Sequence, residues 1–321
     1  MQNNLSYEIN KKKIDDSGVM RADEGLGPFF AKELEWVNSQ LFSVKYPMLK
    51  ARELFPVNNS ANPGAQSVTY NMYDEYGIAK IVADYADDLP RVDVKGEQVT
   101  VQVRTLGDSY GWSLNEVRAA RFAGRNIETM KANAARRAIM ALENRLAFIG
   151  DPNYNLQGLL THPNIPSADV PADGQGNTTE WINKTPDQII RDVSDAINQV
   201  IALTKGVHAP TDILLPIEQY TLIATKRVTD TGVTILKYLL EMNPFIRSIT
   251  WVNELDNPFG DGVDYMVAYQ KDPEILEMNV PSDFESLPVE PRGLEFVVCC
   301  QERFAGMIIR YPLAISFSTG I

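Results

Sequence analysis

Cysteine and histidine are almost missing, two of each in 321 residues. The cysteines are neighbours, Cys299 and Cys300, so they cannot staple distant segments together, and nothing around them has zinc-site spacing. With only His162 and His208, multi-histidine metal centres are excluded and a histidine-based triad has almost nothing to draw on. No apolar run approaches the length of a membrane span. Residues 1–16 are polar, carry Lys11, Lys12 and Lys13, and lack the apolar stretch of a signal peptide. Basic residues are outnumbered: 30 Lys and Arg against 42 Asp and Glu give a net charge of −12. That excludes wholesale attraction to nucleic acid or an anionic membrane, though not a local basic face. We expect a chain made in a reducing cytoplasm, with no membrane partner.

Chemistry is equally scarce. There is no glycine-rich phosphate loop and no Gly-x-Ser-x-Gly elbow. The segment 107–111 reads as a corner between a strand and a helix. His162 and His208 each stand close to a proline and read as surface or capping residues. Glu254, Asp256, Asp261 and Asp264 gather in a Gly/Pro loop without the order of a calcium loop, and read as a solvated acidic turn. Cys299 reads as a small core residue. We therefore expect no catalytic residue, no cofactor and no metal.

What is present is an ordinary globular composition, 44% apolar and 22% charged, with an unusual order of elements. Residues 1–45 form an arm with one short amphipathic helix. A β-rich stretch over 66–82 and a clean alternation over 92–106 predict a long hairpin, with Val99, Val101 and Val103 on one face and Asp84, Asp87 and Asp88 near its tip. Arms of about 15–20 residues would extend roughly 50–60 Å, too far for this chain to cover alone. Ser113 and Glu116 form a capping box, after which apolar residues recur at helical spacing as far as Gly150, about 35 residues in all. Gly124 interrupts this helix and permits a bend. Arg118, Arg121, Arg125 and Arg136 fall on one stripe of it, either a solvated face or a seat for an acidic partner. The stretch 151–184 is loop-rich and looks like a boundary. Then Thr185-Pro186 starts a helix with stripe Ile189, Val193, Ile197 and Ile201, and alternating strands and helices follow as a compact α/β unit. The end is β again, over 294–300, 307–311 and 314–318.

Arm, hairpin, very long helix, α/β unit and terminal strands, in that order, resemble the capsid subunit of tailed bacteriophages, the Hong Kong 97 fold, shared with encapsulin compartments. Local sequence adds to the resemblance: Leu89-Pro90-Arg91-Val92-Asp93, Ser109-Tyr110-Gly111-Trp112-Ser113, Ala134-Ala135-Arg136-Arg137, Glu143-Asn144, Gly150-Asp151, Gln157-Gly158-Leu159-Leu160, and the run from Gly306 to Ile315. The resemblance implies an α+β fold in five parts: N-arm 1–45, hairpin (E-loop) with flanks 46–112, spine helix and P-domain 113–184, A-domain 185–290, and terminal strands 291–321 returning to the P-domain. It implies a non-enzymatic major capsid protein in the virion, forming hexamers and pentamers of an icosahedral head around double-stranded DNA. Expected partners are other copies of the chain, scaffolding, portal and decoration proteins, and DNA held non-specifically. Some family members cross-link a hairpin lysine to a neighbour's asparagine. Lys80 lies on the hairpin, but no match for the other residues is present, so that chemistry is not carried over. A chain beginning at Met1 leads us to expect no propeptide cleavage and a separate scaffold. The alternatives are an encapsulin-like compartment and a cytoplasmic α/β enzyme. The expected assembly surface is Asp84, Asp87, Asp88, Val99, Val101, Val103, Arg118, Arg121, Arg125 and Arg136.

Overall fold

The computed structural model describes residues 46–76, 93–123, 127–229 and 231–321. The arm at 1–45, the hairpin tip at 77–92 with Asp84, Asp87 and Asp88, and Arg125 lie outside the described residues, and Arg121 lies outside as regards its side chain. The chain divides after residue 46, and the described helices and strands all belong to the unit 47–321.

The organising element of this unit is a five-stranded sheet made of β7 (Ser167–Asp169), β16 (Ile315–Thr319), β10 (Tyr265–Tyr269), β8 (Asp212–Leu215) and β9 (Ser248–Trp251), in that spatial order. Apart from Asp212, strands β8 and β10 are built of apolar and aromatic residues because the sheet is covered on both sides. Alternation sorts their side chains: Ile213, Leu215, Met266 and Ala268 enter one core, Leu214, Val267 and Tyr269 the other. The first core is closed by α4 (Pro186–Leu203), α5 (Ile217–Thr225) and α6 (Ile235–Met242). Helix α4 starts as its sequence predicts. Thr185 and Gln188 complete a capping box, Pro186 takes N1, and Ile189, Val193, Ile197 and Val200 are buried.

The second core joins that sheet to α1 (Ala51–Leu54) and α3 (Ile127–Phe148). Phe55 packs edge-on to Phe148 at 5.3 Å and lies 5.8 Å from Tyr269, whose hydroxyl donates to the Leu54 carbonyl. Over it lies a second sheet, β12 (Ser282–Ser286), β14 (Glu295–Phe304) and β13 (Glu290–Arg292), with β4 (Arg104–Ser113) paired to β14 along its whole length. Short pairs complete the unit: β1 (Val57–Asn58), β11 (Leu276–Asn279) and β15 (Met307–Ile309) in one sheet, β5 (Gly150–Asp151) with β6 (Leu156–Gln157) in another. Gly150, at φ 73°, and Gly158 meet backbone to backbone here. A Cβ on Gly158 would come 2.4 Å from the Gly150 nitrogen.

Three sequence expectations change. The segment 107–111 is a strand, the middle of β4, because β14 supplies a full ladder of partners. The single helix of about 35 residues is observed as α2 (Leu114–Phe122) and α3, with Ala123 in a turn. The terminal strands divide between sheets: β14 and β15 join the β4 and β11 sheets, whereas β16 inserts between β7 and β10. Its Ile315 and Phe317 suit that central position because their side of the sheet is fully covered.

Candidate assembly surface

The hairpin begins as a two-stranded ribbon. β2 (Ser67–Tyr76) and β3 (Asp93–Gln102) pair antiparallel from Ser67 opposite Gln102 to Tyr76 opposite Asp93. Each of its two arms has ten residues in the described region, and the expected continuation through 77–92 lies outside the described residues. Alternation gives the ribbon one apolar side, with Val68 against Val101 and Tyr70 against Val99, all half-buried. The Arg310 guanidinium lies 5.5 Å from the centre of the Tyr70 ring and holds the base of that side. The other side is bound by Thr69 and Thr100, whose hydroxyls are 2.9 Å apart, and it leaves Tyr73 71% exposed. Val94, near the outer end, is 53% exposed. No third strand joins β2 or β3 among the described residues, so both edges stand open.

Val103 ends the alternating row at the base of the ribbon. The ribbon register stops at Gln102, and the Val103 N–H donates to the Gln66 carbonyl at 2.9 Å, closing the ribbon's neck. Val103 is buried within its own chain, while β4 leaves for the other sheet.

Two arginines of the basic stripe, Arg118 and Arg136, have described side chains. Arg118 is exposed on α2. Arg136 sits on α3 with its guanidinium 5.8 Å from the Phe284 ring of β12. Lys131 donates to the Gly111 carbonyl at 2.7 Å and pairs with Glu116 at 3.2 Å. Glu116 is held below the usual carboxylate range, first by the Ser113 N–H and then by Lys131. Part of the helix charge is therefore spent within the chain, while Arg118 and Arg136 are both exposed.

The charged residues most firmly placed were not singled out from sequence. Arg52 on α1 donates through Nε to both oxygens of Glu143 at 2.9 Å, through Nη1 to Asp283 at 2.7 Å, and through Nη2 to Glu302 at 3.0 Å. Glu143 and Glu302 are 2% and 0% exposed. The partners lie 91 to 250 residues from Arg52, so no local spacing reveals them. Beside them, Asn144 Oδ1 accepts from Lys50 N and Ala51 N, and its amide donates to Glu254. Lys50 donates to the Trp251 carbonyl at 2.7 Å, over the indole ring. Burial lowers Lys50 and raises Glu254 from their ordinary values. Glu254 is thus part of a packed junction rather than of a solvated turn. Asp264 accepts from the Asn257 N–H within that turn at 3.0 Å and from Gln219 outside it at 2.7 Å. Of the cysteines, Cys300 is buried in the core, and Cys299, on the alternate side of β14, is only partly buried. His208 packs on Tyr311 and His162 accepts from the Asn164 N–H. No group of three His, Cys, Asp or Glu fit to hold a metal occurs among the described residues.

A chain with an open ribbon and a charge network that ties a helix to distant strands has the anatomy of a subunit built for assembly. Residues 77–321 match the family model described as the major capsid protein. The chain belongs to the major capsid protein family. No curated protein matches it in sequence. This capsid protein is similar in structure to the capsid of Myoviridae phage XM1, with a TM-score of 0.79 at 20% identity over 93% of this chain and 100% of that one. The capsid of an empty GTA particle superposes with a TM-score of 0.63 at 13% identity, covering 89% and 94% of the two chains. A virus-like particle from Pyrococcus furiosus gives 0.53 at 15% identity, covering 85% and 92%. The shared property is the fold, that of the Hong Kong 97 capsid subunit, and the protein is a structural component of the virion.

Proposed function

We propose that this capsid protein closes an icosahedral phage head from hexamers and pentamers around double-stranded DNA, in the cytoplasm of its host and without catalysis of its own. The observation that carries the proposal is the ribbon β2–β3. Its open edges and exposed Tyr73 and Val94 are surfaces that a lone chain leaves to water and a neighbouring copy can cover. In this reading the arm 1–45, hairpin 46–112, spine helix and P-domain 113–184, A-domain 185–290 and terminal strands 291–321 are the working parts. Scaffolding, portal and decoration proteins are the expected accessory partners, and DNA is held without sequence preference. Asp84, Asp87 and Asp88 meet a neighbour's basic helix, for which Arg118 is exposed.

The test is electron microscopy of purified particles together with nucleic-acid analysis. Shells containing double-stranded DNA support the proposal. Shells that hold protein cargo and no genome transfer it to an encapsulin-like compartment, a reading with the weaker structural likeness, that to the virus-like particle. Deleting 79–94 is expected to leave a folded subunit that closes no shells, and normal particles from that variant would refute the role of the hairpin.

A further inference from the structure

The arrangement around Arg52 has an imbalance of charge. Three carboxyls, Glu143, Asp283 and Glu302, converge on one guanidinium, and two of them are sealed from water. Arg52 is always charged, so it compensates one carboxylate at most. Other charged and polar groups turned towards the cluster are few. Arg136 of α3 lines the same small recess of about 190 Å³ with Met140 and Phe284, and Asn59 donates to the outer oxygen of Asp283 at 3.3 Å. Counting Arg136, three anions face two cations. One oxygen of Glu302, Oε2, is buried with no donor at all. Glu143 and Glu302 are gripped by the same guanidinium, through Nε at 2.9 Å and Nη2 at 3.0 Å. A buried acceptor without a donor is costly, and a carboxyl facing a carboxyl becomes a good contact when one proton lies between them.

We propose that Glu143 and Glu302 hold a single shared proton, and that this proton locks the β12–β14 sheet to helix α3. With it, Glu302 donates to Glu143, the orphaned oxygen becomes a hydroxyl, and the charges of the cluster cancel. Without it, two buried anions repel across the joint between α3 and β14. The physical setting agrees in direction. Burial first, and then the Glu143 charge, push Glu302 up to about 7, and burial raises Glu143 as well. The sign follows from linkage. A carboxyl whose value rises on folding contributes stability that is fully present below its unfolded value of 4.5. That contribution fades as pH climbs from there through about 7. The lock is therefore closed in acid and released at mild alkaline pH. Strand β14 also carries β4, the strand that continues from the ribbon, so its release reaches the base of the assembly surface.

The experiment compares urea unfolding of the dissociated full-length subunit with that of Glu302→Gln from pH 5 to pH 9. Glutamine donates to Glu143 as the protonated acid does, and it cannot ionise. The wild-type unfolding constant, relative to that of Glu302→Gln, is expected to rise about tenfold per pH unit up to about 7 and then level off. Glu143→Gln is expected to shift the levelling-off to lower pH, since it removes the Glu143 charge and leaves the burial of Glu302, and it serves as the second variant if Glu302→Gln does not fold; an unshifted profile in it counts against the proposal. Infrared spectra of folded wild type below pH 6 are expected to show a neutral-carboxyl band that disappears by pH 8 and is absent from Glu302→Gln. A wild-type-to-variant ratio that stays flat across the range, or a neutral-carboxyl band that persists in Glu302→Gln, overturns the proposal.

Discussion

The sharpest energetic test lies in the α/β unit, at Lys184 and Asp192. Both side chains are fully buried, with Lys184 Nζ 2.6 Å from Asp192 Oδ2. Asp192 also accepts from Trp181 Nε1 at 3.2 Å and from Arg191 Nη2 at 2.7 Å, whereas Lys184 has only Asp173, at 3.6 Å, as a further anion. Removing either partner leaves a buried charge, which costs about 3–5 kcal/mol. Lys184→Met belongs at the low end, because Asp192 keeps two donors. Asp192→Leu belongs at the high end, because the lysine is left with one distant carboxylate. Replacing both by apolar residues removes the desolvation cost along with the attraction, so the double variant is expected to lose less than about 2 kcal/mol. A loss of about 3 kcal/mol is roughly a hundredfold in the unfolding constant and is easily resolved in urea. Trp181, 1% exposed and bonded to the pair, is a convenient fluorescent reporter. Single variants that each cost under 1 kcal/mol, or a double variant as damaged as the sum of the singles, would refute the reasoning.

Gly158→Ala is expected to yield no folded subunit, since its Cβ meets the Gly150 backbone at 2.4 Å; circular dichroism of the soluble fraction checks this. Thr185→Ala removes the acceptor of the α4 capping box and is expected to cost about 1 kcal/mol in urea titrations, leaving assembly intact. Tyr73→Asp and Val94→Asp change exposed ribbon residues, so subunit stability should move by less than about 0.5 kcal/mol while particle yield collapses; unchanged yield contradicts the ribbon's role. Reversing Asp87 and Asp88 to Lys is expected to weaken assembly at low salt, with partial rescue by Arg118→Glu, scored by sedimentation of particles. Each exposed pair is worth only about 0–1 kcal/mol, and repetition over a shell multiplies the effect.

Local rules carried far along this chain. The Thr185-Pro186 start, the stripe of α4, the short strands at 212–215 and from 265, and the Ser113–Glu116 cap depend on residues within a few positions of one another, and each is found where its pattern put it, the last strand ending one residue earlier at Tyr269. The order of elements was enough for the family. Tertiary structure decided what no spacing encodes. Segment 107–111 became a strand because β14, nearly two hundred residues on, offered its edge, a partner that a Gly-rich stretch does not announce. Val103 is buried at the ribbon's neck, where its N–H meets the Gln66 carbonyl. Arg136, one of a stripe by periodicity, lies 5.8 Å from the Phe284 ring of a strand nearly 150 residues on. The network of Arg52, Glu143, Asp283 and Glu302 is assembled from four elements far apart in sequence. Periodicity reports which side of a helix or strand turns inward, but only the packed core brings distant charges together and seals them from water, and with that burial come the proton, the cost and the lock.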